Sequence, residues 1–100
     1  MAGRWLPPLT ALRTFEAVAR LGVAGAAAEL NVTTAAISHQ IRVLEGELGV
    51  SLFTRSKRGL SLNAAGTRYL ADVAAGFDAI FAGTRRLTNP ERSDRLVIAS

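Results

Sequence analysis

The sequence has 100 residues, of which 49% are apolar and none is cysteine, and its 12 Lys and Arg against 8 Asp and Glu give a formal net charge of +4. That length bounds the chain to one domain with a limited core. The missing cysteines and the single histidine exclude a disulfide framework, a thiolate nucleophile and a Cys- or His-rich metal site.

Of the 12 basic residues, 11 are Arg. Arg suits phosphate and base-edge recognition, so the composition suggests an anionic partner, although a GC-rich genome also enriches Arg and Ala. The chain holds 18 alanines, which bury little area each and leave it leaning on helix packing or on a partner chain. No stretch approaches the roughly 20 apolar residues that span a bilayer. Residues 1–10 hold one Arg, one Trp and two prolines and lack the apolar segment of a signal peptide. A soluble, cytoplasmic protein without membrane contact is expected.

Leu9, Leu12, Phe15, Val18 and Ala19 follow helical spacing until Gly22 stops the run. This predicts a first helix over 9–21, entered through Pro7 and Pro8, where proline is tolerated. An alanine-rich second helix is expected over 24–30, with a start weakened by Gly22 and Gly25 and an end at Asn31. Thr33 then offers an N-cap for a third helix. In that helix Ile37, Ile41, Leu44 and Leu48 form one narrow apolar stripe. At about 100° per residue the opposite face carries Ala35, Ser38, His39, Arg42 and Gly46, with Thr34 on its shoulder. Glu45 and Glu47 fall toward the flanks and the far end, and Gly49 is placed to end the helix.

Residues 52–62 read as two short strands around a basic turn that holds Arg55, Lys57 and Arg58 and closes on Gly59. Asn63 is a plausible cap for a long fourth helix over 64–88, about 37 Å at 1.5 Å per residue. Along it Leu70, Val73, Phe77, Ile80, Thr84 and Leu87 recur as a heptad seam of about two and a half heptads. A helix of that length outruns the small N-terminal core, which points to a second copy of the chain. Thr88-Asn89-Pro90 breaks it. Residues 96–99 then read as a buried-type strand with no partner strand, as expected of a piece cut from a longer protein.

Helix, short helix, tight turn, helix with a polar outer face and basic hairpin together form a winged helix-turn-helix pattern. A helix that enters the DNA major groove must present short polar side chains to base edges. Ser38 and Arg42 meet that need, and Thr34 and Ala35 offer small surfaces to thymine methyl groups. Thr33 and the helix N-terminus bring backbone amides toward a phosphate. Arg55, Lys57 and Arg58 form a dense cationic cluster able to reach a minor groove or phosphates. A polar helix face or a basic turn alone is ordinarily just solvated; the two at this spacing point to DNA. A helical interaction module would explain the seam but not the basic hairpin. A stand-alone DNA-binding antirepressor would not explain the terminal strand. No enzyme is expected: His39 has no Ser/Asp arrangement around it, and Glu45 and Glu47 point to different helix faces.

The ordered set Leu9-Thr-Ala-Leu-Arg-Thr-Phe-Glu-Ala-Val-Ala, Ala26-Ala27 through Leu30, Val32-Thr33, Ala36-Ile37-Ser38-His39-Gln40-Ile41, Leu44-Glu45, Leu48-Gly49, Leu52-Phe53-Thr54-Arg55 and Gly66 resembles the DNA-binding domain of LysR-type transcriptional regulators over about residues 6–88. Leu6-Pro7-Pro8-Leu9 and Leu30-Asn31-Val32-Thr33 are similar to the branch that holds the glycine-cleavage activator and the chromosomal β-lactamase regulator. The resemblance implies a mainly α fold, a winged helix-turn-helix over 1–63. A dimerising linker helix over 64–89 and a hinge with the first strand of an effector domain over 90–100 would follow. It implies double-stranded DNA as partner, a homodimer through the linker helix (with a tetramer as a further option at full length) and no cofactor in this fragment. The effector ligand of the further domain is left unnamed.

Carried over residue by residue, the family's recognition contacts fall on Thr33, Thr34, Ala35, Ser38 and His39, and its wing contact on Arg55, with Lys57 and Arg58 nearby. Many members carry Gln at the place of Thr34, Pro at Ala35 and Arg at His39. Where relatives often begin the second helix with Ser-Phe-Thr-Arg, this chain has Gly22-Val23-Ala24-Gly25. The lost cap alone predicts a second helix weaker by about 1 kcal/mol.

Overall fold

The computed structural model describes residues 5–89; the strand and hinge expected over 90–100 lie outside the described residues. The elements in chain order are α1 (Leu9–Leu30), α2 (Thr34–Leu48), β1 (Phe53–Ser56), β2 (Gly59–Leu62) and α3 (Ala64–Thr88). Together they form a winged helix-turn-helix carrying a long C-terminal helix.

The two expected N-terminal helices are the two segments of α1. Gly22 sits between them with φ 80° and ψ 174°, a conformation glycine adopts without the steric cost of a Cβ. Arg20 clasps the break from outside. Its guanidinium binds Glu16 on the first segment (2.9 and 3.1 Å) and Glu29 on the second (2.8 and 3.1 Å). Asn31 closes α1 in the left-handed region (φ 60°). The Val32 amide reaches back to the Ala27 carbonyl at 3.0 Å, which satisfies a carbonyl at the helix end.

The caps read from the sequence form. The Thr33 side chain accepts from the Ala36 amide (3.0 Å) at the start of α2, and Gly49 ends that helix at φ 71°. Asn63 accepts from the Gly66 amide (2.8 Å) at the start of α3. The hairpin pairs Phe53 with Leu62, Thr54 with Ser61, Arg55 with Leu60 and Ser56 with Gly59, which leaves Lys57 and Arg58 as its two-residue tip.

Phe15, Ile37, Ile41 and Leu44 are the largest fully buried side chains, so the α2 stripe packs on α1 as its spacing predicts. The Phe15 ring meets Phe53 edge-on at 5.7 Å and Tyr69 at 5.5 Å, which ties α1 to the wing and to α3. The start of α3 lies close against Leu52, just before β1, and Leu62 of β2. A methyl group at Gly66 would collide with the Leu52 carbonyl and the Leu62 side chain. The Leu52 carbonyl accepts from the Asn63 amide at 3.0 Å.

The seam residues of α3 divide between two environments. Val73 is buried in the chain's own core, with Leu70 and Phe77 packed against it. Ile80, Thr84 and Leu87 are exposed, as is Phe81. A heptad pattern records apolar spacing and does not say which chain covers each residue. No helix among the described residues is long and apolar enough to cross a membrane.

Candidate nucleic-acid interface

The outer face of α2 is built by the stripe that buries the inner one. With Ile37, Ile41 and Leu44 turned into the core, Ala35, His39, Arg42 and Gly46 are exposed and Ser38 is half-buried. Thr33 and Thr34 are exposed at the N-terminus. Thr33 caps the Ala36 amide, and the first amides of the helix have no intrahelical partner. Those of Thr34 and Ala35 therefore remain for solvent or an anion. His39 borders a shallow cleft with Pro8, Thr10 and Gln40. Arg42 makes no ion pair among the described residues.

Gln40, which has no signal of its own in the sequence pattern, adds a polar tie between this helix and α1. The Thr14 hydroxyl on α1, itself buried, shares its proton between the Thr10 carbonyl (3.0 Å) and Gln40 Oε1 (2.7 Å). Gln40 lies at the edge of the apolar stripe, three residues after Ile37 and four before Leu44. A polar residue there faces α1 and needs a hydrogen-bond partner.

The wing divides the predicted cationic cluster. Lys57 and Arg58 sit exposed at the tip, and neither makes an ion pair among the described residues. Arg55 lies two residues from buried Phe53, on the same face of the strand. That face looks toward α2, where Arg55 Nη2 meets Glu45 Oε1 at 3.2 Å. Glu45 is a second residue the sequence reading passed over as a flanking acid. Its Oε2 accepts from the Leu52 amide (2.8 Å) and the Phe53 amide (3.2 Å). It follows Leu44 directly on the helix, about 100° from the core stripe. An acid that close to an apolar seam is buried only with partners, and this is the signal that was available.

At the other end, Leu6, Leu9, Phe77 and Ile80 border an apolar groove between the start of α1 and the middle of α3. Among the described residues no group of three or more His, Asp or Glu is arranged to hold a metal ion.

The family profile described as "Bacterial regulatory helix-turn-helix protein, lysR family" matches residues 9–67. The glycine cleavage system transcriptional activator of Escherichia coli K12 is 49% identical over 83 residues, which are 82% of this chain and 27% of the relative. The HTH-type transcriptional activator AmpR of Pseudomonas aeruginosa is 45% identical over 94 residues, 93% of this chain and 32% of the relative. The chain thus spans about a third or less of the curated relatives it matches. A crystal structure of the CbnR DNA-binding domain in complex with DNA superposes with a TM-score of 0.74 at 35% identity, over 85% of this chain and 99% of that one.

Proposed function

The chain belongs to the lysR family of bacterial regulatory helix-turn-helix proteins, and on that premise we propose that it binds double-stranded DNA as the DNA-binding and dimerising part of a transcriptional regulator. One observation carries the reading. The small, polar and cationic face of α2 stands free while its last turn, through Glu45, holds the hairpin whose tip is Lys57 and Arg58. Thr34, Ala35, Ser38, His39 and Arg42 enter a major groove, with Thr33 at a phosphate. The wing reaches an adjacent minor groove or the backbone, and phosphate contacts supply most of the affinity.

A second copy pairs through α3. Ile80, Thr84 and Leu87 supply the exposed part of the seam, beside the apolar groove at Leu6 and Leu9. Two copies address a pseudo-palindromic site with half-sites about 34 Å apart. The protein works in the cytoplasm, where its target is, and this fragment uses no cofactor.

The test is a gel shift against random duplex at low salt, followed by selection of bound sequences from a random library. Binding that weakens steeply with salt is expected. Lys57→Ala and Arg58→Ala lower affinity for all sequences and reduce the salt slope by about 0.9 each. Ser38→Ala and Thr34→Ala instead shift the selected sequence. No binding at low salt, with the chain folded, overturns the reading.

A further inference from the structure

We propose that Glu45 is a positioning residue: it holds Arg55 in one presentation and so sets how sharply the wing discriminates among duplexes. The proposal rests on the DNA-binding reading above. Glu45 is largely covered, its side chain only 14% exposed. A carboxylate has about four acceptor sites. Here they receive the Leu52 and Phe53 amides and Arg55 Nη2, with the Ser51 hydroxyl at 3.5 Å. The acid is therefore nearly saturated and fixed by backbone that cannot move away.

Arg55 is the reverse case. Its guanidinium is a rigid fork with five N–H donors, of which the contact to Glu45 uses one, and the side chain is 46% exposed. Strand alternation puts it on the same face of the hairpin as Phe53, with Leu60 as cross-strand partner. The head is tethered at one donor while the others stay available.

Two consequences act in one direction. The tether removes rotamers that a free arginine loses only on binding, so a base edge or phosphate meets a preset fork. The carboxylate also cancels one unit of wing charge, which lowers attraction for any duplex whatever its sequence. Affinity for random DNA falls and the difference between sequences grows. Lys57 and Arg58, without such a counter-charge among the described residues, supply the indifferent part of the attraction.

The test uses the 100-residue chain, a duplex that the unmodified chain selects from a random library, and a random-sequence duplex of equal length, titrated across salt. Glu45→Gln keeps a carbonyl oxygen for the two amides and removes the charge. It is expected to bind random duplex roughly three- to tenfold more tightly, and to steepen the slope of log K against log salt by up to about 0.9. The selected-to-random ratio falls at least about threefold through the lost preorganisation. In an Arg55→Ala background the same substitution leaves that ratio unchanged, which a merely structural role of Glu45 does not predict. Arg55→Lys carries the test if the Gln variant does not fold. A point charge on a flexible stem lowers the selected-to-random ratio at least about threefold. The proposal is overturned if folded Glu45→Gln binds both duplexes as the unmodified chain does, if its effect on the ratio persists without Arg55, or if Arg55→Lys leaves the ratio intact. Failure of the unmodified chain to bind any duplex is a different outcome and overturns the DNA-binding reading itself.

Discussion

The hydroxyl of Thr14 on α1 and the carboxamide of Gln40 on α2 meet at 2.7 Å across 26 residues of sequence. It is a polar contact between the scaffold helix and the helix whose outer face is the candidate reader, and it sits beside an otherwise apolar seam. Thr14→Val keeps the shape and removes the hydroxyl, leaving the part-buried Gln40 without this partner. The expected loss is about 1–2 kcal/mol. It should appear as a lower urea midpoint at unchanged m-value, with protein concentration held fixed. An unchanged midpoint would show that the contact adds nothing to the helix pair.

Gly66 and Gly76 stand on the same helix in opposite situations. A side chain at Gly66 meets the Leu52 carbonyl, while at Gly76 there is open space. Gly66→Ala should therefore destabilise by about 1–3 kcal/mol through overpacking. Gly76→Ala should stabilise by up to about 1 kcal/mol through helix propensity. Thermal unfolding of the two variants at low protein concentration separates contact from propensity. Equal shifts of one sign would sink the assignment of Gly66 as a close-approach site.

The Arg20 clasp carries a pH signature. The hydrogen bond from Arg20 holds the Glu29 carboxyl below its ordinary value of 4.5. Arg20, held above its own ordinary range by Glu16 and then by Glu29, keeps its proton at every working pH. A carboxyl with a depressed folded pKa stabilises fully above its unfolded pKa, and the contribution is lost as pH falls through the folded value. The urea midpoints of the unmodified chain and Glu29→Gln should thus differ at neutral pH and converge as the medium is acidified through the lowered Glu29 value. Since the pair is exposed, added salt should shrink the difference too. A gap that survives acid would place the effect of the substitution elsewhere.

Ile80 is 56% exposed and Leu87 82%, whereas Phe77 packs on the core. Ile80→Asp or Leu87→Asp should therefore leave the monomer folded and abolish pairing. Phe77→Asp should damage both. Sedimentation equilibrium reads the mass and circular dichroism the fold. An unmodified chain that stays monomeric at high concentration would end the dimer assignment.

The termini of the helices were legible because their causes are local. Thr33, Gly49 and Asn63 act within four residues of themselves, and Gly22 interrupts α1 by its own backbone angles. Gln40 and Glu45 escaped because their partners come from other elements, brought near only by the fold. Both share the polar types of their solvated neighbours, and only their places at the edges of the stripe set them apart. The apolar spacing on α3 is plain in the sequence, but spacing alone does not assign Val73 to the chain's own core and Ile80 to the exposed end. The basic cluster is uniform in sequence, while strand alternation sets Arg55, still exposed, on the face toward Glu45 and leaves Lys57 and Arg58 at the tip.

One residue, Leu52, sits where three elements converge. The Leu52 amide donates to Glu45 of α2, and the Leu52 carbonyl accepts from the amide of Asn63, the cap of α3. Gly66 lets α3 sit hard against it. The long helix is thus mounted like a lever whose short arm ends on the backbone of the hairpin. The Leu52 main chain links the mounting of the long helix to the helix that bears Ser38 and Arg42.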